Sequence, residues 1–145
     1  MVDIVITAAN VAPVSTGANP SRLKQVIWGG NVTRGQPVYL DTADSKYKVA
    51  DNNVAALNAG SAGLAIAMSD GGNNQPGVVL EGGDWTAGGT VVVGENYFLS
   101  ATAGGIAPAA DLASTHFVSH LGVGISASVI RMPAAGPLVS GVQKP

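Results

Sequence analysis

The 145-residue chain has no cysteine, which excludes a disulfide framework, a thiolate zinc site, an iron–sulfur centre and a cysteine nucleophile. Charge is scarce as well. Ionisable Asp, Glu, Lys and Arg make up 11% of the residues, seven cations stand against nine anions, and the net charge is -2. The cations are scattered along the chain, so no basic patch for nucleic acid is expected. A long apolar run is missing too. The uncharged stretch between Asp51 and Asp70 is interrupted by Asn52, Asn53, Asn58, Gly60, Ser61 and Gly63, which is incompatible with a membrane span. Met1-Val2-Asp3 has neither the cationic start nor the apolar core of a signal peptide, so a soluble protein not exported by that route is expected.

What is present is glycine, 20 residues of it, together with 46% hydrophobic residues. A chain of this length buries roughly 70% of its unfolded surface and needs no staples, and one domain is the default. With so little charge, the surface must be covered by Ala, Gly, Ser, Thr and Asn. Such a surface suits a subunit with neighbours.

Sliding the chain on itself aligns residues 35–69 with residues 94–128 at a constant offset of 59. Gly35 falls on Gly94, Leu40 on Leu99, Ala50 on Ala109, Gly63 on Gly122, Ile66 on Ile125 and Ser69 on Ser128. Leu64, Ile66 and Met68 alternate with alanines, as Val123, Ile125 and Ala127 alternate with Gly124 and Ser126. The period of two predicts strands with one large face and one small face, the latter suited to a closely packed sheet or subunit. Val38 and Leu40, like Tyr97 and Leu99, begin a β-hairpin, turned at Thr42-Ala43-Asp44-Ser45 in the first copy and at 101–105 in the second, where Gly supplies positive φ. Between hairpin and strand, 51–62 and 110–121 diverge and predict a short helical turn or a loop. The first copy carries an eight-residue insertion after Ser69, and residues 82–89 predict a Gly-rich turn displaying Trp85.

The ends read differently. Val2, Ile4 and Ile6 alternate as a first strand, residues 8–24 lack a period and predict an arm or long loop, and residues 133–145 predict a Pro-rich tail. The expected organisation is therefore a single all-β domain, a small barrel or sandwich. Residues 1–24 form its strand and arm, 25–132 its duplicated core, and 133–145 its tail.

The chemistry-bearing residues form no catalytic set. His116 and His120 lie four apart, but a zinc site needs a third ligand and the nearest acid is Asp111. Gly122-Val123-Gly124-Ile125-Ser126-Ala127 matches G-x-G-x-x-[GA], yet Val129, Ile130 and Pro133 follow where a helix would be required, and no acid occurs beyond Asp111. Asp41 with Asp44 and Glu81 with Asp84 sit at predicted turns, where Asp usually bonds its own backbone. No enzyme activity and no cofactor are expected. Trp85 reads either as an interface anchor or as a ring folded back on the rim, and Trp28 as core or rim packing.

The stretches 35–48 and 99–113, with Gln75-Pro76-Gly77 before Val78-Val79, resemble the capsid cement, or head decoration, proteins of tailed bacteriophages. The resemblance covers roughly residues 26–132 and rests on turn and strand patterns. It implies a β-rich structural virion protein on the outer surface of the head, found in host cytoplasm during assembly. Its expected partners are the major capsid protein and further copies of itself, as a trimer, with no nucleic acid and no membrane. The expected contact residues are Val11, Val14, Arg22 and Lys24 on the arm, and Trp85. The competing reading is a carbohydrate-binding or structural module of a phage tail fibre or baseplate, gripping sugar with Trp85 and the polar loops.

Overall fold

The computed structural model describes residues 2–145 and is nearly all β. Eleven strands run in chain order: β1 (Val11–Pro13), β2 (Arg22–Ile27), β3 (Pro37–Asp41), β4 (Lys46–Val49), β5 (Leu64–Ala67), β6 (Pro76–Ala87), β7 (Asn96–Leu99), β8 (Ile106–Pro108), β9 (Phe117–Gly124), β10 (Val129–Met132) and β11 (Leu138–Gln143). They form one curled sheet in the order β4-β3-β5-β6-β10-β9-β7-β8, with β1 and β2 added on β6 and β11 on β9. The all-β barrel or sandwich class read from the sequence is the fold observed.

That order reads the same from both ends. In the first hairpin Val38 pairs with Val49, Tyr39 with Lys48 and Leu40 with Tyr47. In the second, Tyr97 pairs with Pro108, Phe98 with Ala107 and Leu99 with Ile106, each residue 59 positions on. The turn ahead of each hairpin also recurs. Gly35 and Gly94 both take positive φ, and Gln36 N and Glu95 N donate back to Thr33 O and Val92 O.

Past the hairpins the equivalence changes. Pro37 faces Ile66, whereas Asn96 faces Val123, so the residue that takes the place of Ile66 is Val123 and not Ile125. Strand β9 ends at Gly124, and Ile125 lies exposed in the turn beyond. A slip of two residues leaves every side chain on its own face, so the apolar pattern cannot detect it. Ala67 faces Val79 and Gly124 faces Ile130. The connections 68–78 and 125–129 thus differ by six residues, rather than the eight expected.

Both faces of the first unit are buried. Tyr39, Leu64, Ile66 and Leu80 point into the main core with Trp85, Leu99, Ile106, Leu121 and Ile130. Val38, Ala65, Ala67 and Val79 point the other way, onto Trp28. The small face therefore has an indole of its own chain as its neighbour. A Cβ on Gly77 would lie 2.1 Å from Trp28 Cε2, so only glycine lets the ring lie flat there. A parallel bridge between Trp28 and Tyr47 draws β4 beside the end of β2 and curls the sheet.

The predicted ends are corrected by the structure. Residues 2–6 form no regular strand, although Ile4 and Ile6 pack on the main core. Residues 8–24 are not a free arm: they hold a 3-10 turn (Ala8–Asn10), β1 and the start of β2. The tail contains β11, paired with β9. Of residues 82–89, read as a turn, 82–87 continue β6. The strand bends where Gly83 adopts φ 97° and Pro20 O approaches so closely that a Cβ would lie 2.2 Å away. The carbonyl of a distant segment sets that glycine, so local sequence reads it as a loop. Residues 51–62 form turns, with one helical step from Ala59 N to Ala55 O.

Candidate interaction surface

The residues expected to touch a partner separate into two groups. Val11 and Trp85 are in the core, 1% and 0% exposed. Trp85 lies opposite Pro13 of β1 and Ile130 of β10, so its large ring is spent on packing and offers no anchor. Val14 is half-buried at the neck of a loop. Ser21 N donates to Val14 O and Val14 N to Ser21 Oγ, at 2.7 and 2.8 Å, leaving 15–18 exposed. Arg22 and Lys24 are exposed on β2, where both face Glu81 at 3.0 and 4.0 Å. Exposed pairs of this kind contribute little to stability.

Behind that loop is a polar hub that sequence reading missed. The Asp84 carboxylate, nearly buried, accepts two bonds from Arg131, from Nε at 2.9 Å and from Nη2 at 3.0 Å. Asn19 Nδ2 donates to the same carboxylate and to Met132 O, both at 2.9 Å. The Arg131 bonds, then that of Asn19, hold the Asp84 carboxyl below the usual carboxylate range. Asp84 pins the neck of the loop to β6 and β10.

The histidines are not gathered into a metal site. His116 Nδ1 accepts from Ala113 N, while His120 Nε2 donates to Asn96 Oδ1 at 3.0 Å and its ring meets Phe98 edge-on. Burial pushes the His120 imidazole below its ordinary value. No group of three His, Asp or Glu able to hold a metal occurs among the described residues. None of their helices is long and apolar enough to cross a membrane.

The most exposed apolar surface lies elsewhere. Val2 and Val5 are each 82% exposed and Val92 50%, and all three line one open cleft of roughly 810 Å³. The rest of its wall is mostly uncharged, with Thr7, Thr86, Thr90 and Ser128 among it and Asp3 the one ionised side chain. Alternation in the sequence set Val5 on the face opposite Ile4 and Ile6 but grouped Val2 with them: only the path of residues 2–7 along the sheet leaves Val2 outside while Ile4 and Ile6 turn inward. A wall that is mostly apolar and uncharged can hold apolar side chains of another chain. No protein-family model matches this chain, and no curated protein matches it.

Proposed function

We propose that this chain is a structural virion protein that decorates and stabilises the outside of a tailed-phage capsid, binding the major capsid protein lattice as a homo-oligomer, in the trimeric form that the resemblance implies. The observation that carries the reading is the exposed valine cleft on a β protein with very little charge. Exposed apolar side chains clustered at one site mark a contact surface. Binding only the assembled shell stabilises it by RT ln(1 + [L]/Kd), about 2.7 kcal/mol per site at a hundredfold excess over Kd. Repetition over a lattice multiplies that term. In this reading the protein carries out no turnover and acts in the virion, after passing through host cytoplasm.

Of the two features the tail-fibre reading used to grip sugar, Trp85 and the polar loops, the loops alone are at the surface, since Trp85 is fully buried. The test is occupancy on purified, expanded capsids, with Val2, Val5 and Val92 each replaced by serine in one variant. Occupancy falling at least tenfold while the fold is retained supports the reading. Full occupancy, or failure of the unaltered chain to bind capsids at all, overturns it.

A further inference from the structure

The two units differ in what fills their interiors. Val79 and Ile130 occupy equivalent places, facing Ala67 and Gly124. Their partners on the far side are Lys24 and Trp85. Four residues past Lys24 stands Trp28, the indole that fills the first unit. Four residues past Trp85 stands Gly89, which has no side chain at all.

Residues 4–6 take up the space. A Cβ on Gly89 would lie 2.4 Å from Ile4 Cγ2 and 2.4 Å from Val5 O, and one on Gly88 would lie 2.8 Å from Thr7 O. The second unit is thus completed by a separate strap, residues 2–7, whose Ile4 and Ile6 pack on the core. The strap is lightly attached. Ile4 N donates to Ile106 O at 2.9 Å, Thr7 N to Gly88 O at 2.8 Å, and Ser100 Oγ to Asp3 Oδ2 at 2.5 Å. Open clefts of roughly 810 and 320 Å³ lie against it, both lined by Asp3 and Ile4. Its link to the body is the 3-10 turn Ala8–Asn10, which buries no residue, and the chain is anchored again only at Val11.

We infer that the slot over Gly88 and Gly89 is a receptor for an extended aliphatic strand, and that a second copy of this chain fills it with its own residues 2–7. The occupant needs aliphatic side chains at alternate positions and two main-chain donors, and the strap itself has both. A strap that crosses to a neighbour makes the same contacts there that it gives up at home. Exchange therefore costs only association entropy and is driven by chain concentration. The exposed turn at 8–10 is the hinge. This inference does not depend on the capsid reading.

The test uses the absence of native cysteine. In the full chain, Asp3→Cys with Ser100→Cys places one thiol on the strap and one on the body, at side chains already in contact. A tagged and an untagged version are mixed, equilibrated under reducing conditions at rising concentration, then oxidised with diamide. Disulfide-linked species containing both versions, their share rising with concentration, are expected. Intrachain disulfides alone at every concentration would overturn the inference, and so would the absence of any disulfide, which would mean that the strap does not lie against Ser100. As an independent check, Gly89→Leu in this background fills the slot and should abolish both kinds of link; links that persist would also count against it.

Discussion

Asp84 and Arg131 face each other across β6 and β10 and are joined by two parallel bonds, Nε to Oδ1 at 2.9 Å and Nη2 to Oδ2 at 3.0 Å. The carboxylate is the buried partner and the guanidinium is half exposed. Removing Arg131 therefore leaves a nearly buried charge held by Asn19 alone. Arg131→Met should lower stability, though by less than the loss of a fully buried charge pair would, because solvent screens the guanidinium. Urea denaturation measures it.

The same pair sets an acid response. The folded carboxyl of Asp84 titrates below its unfolded value of about 3.9, so its stabilisation is complete above that pH and is lost as pH falls through the lower folded value. Without Arg131 the folded value rises toward the unfolded one. Arg131→Met should then begin to unfold at a higher pH than the parent chain, as read by circular dichroism between pH 5 and about 2.

His120 acts at milder pH. Burial favours its neutral form, and its buried Nδ1 has no partner to receive a proton. The unfolded imidazole, titrating near 6.5, binds protons that the folded one refuses, so stability falls as pH drops from about 6.5 toward the lower folded value. His120→Gln should flatten the dependence of stability on pH across that window. An unchanged slope would assign the effect to other groups.

Trp28 gives a packing prediction. Gly77→Ala drives a methyl to within 2.1 Å of the indole and should cost about 1–3 kcal/mol by overpacking. The indole must shift, so the tryptophan fluorescence of the folded variant should move to longer wavelength. The double variant with Trp28→Phe should recover part of the loss.

Truncation separates arm from body. Removing residues 1–24 deletes β1, the buried Val11 and the start of β2, and should abolish cooperative thermal unfolding. Replacing the exposed residues 15–18 with a Gly-Ser linker of equal length should change stability by no more than about 0.5 kcal/mol. Occupancy lost on deleting 1–24 would thus report unfolding, whereas occupancy of the linker variant tests the loop itself.

The hairpins and their duplication were legible because alternation and turn residues lie within a few positions of one another. Val38 to Val49 and Tyr97 to Pro108 each carry a local signal for both strands and the turn between them. The edge strands gave no such signal. β2 is exposed along most of its length and β11 nearly so, and each forms because a neighbour offers free backbone groups, whatever its own side chains prefer. Val11 and Trp85, read as surface contacts, lie in the core for a related reason. A tryptophan among glycines reads as displayed, while here the glycines are small because Pro20 and the strap press on them.

The amino-acid pattern by itself determined the class of fold, the two hairpins, their spacing and the shortage of charge, because each depends on residues near one another or on composition. Tertiary structure alone decided which glycines are strand, where Trp85 goes, how Asp84 finds Arg131, and that the second unit borrows residues 4–6 where the first uses Trp28. Those outcomes depend on segments far apart in the chain meeting at one point, and no period in a linear sequence encodes which segments will meet.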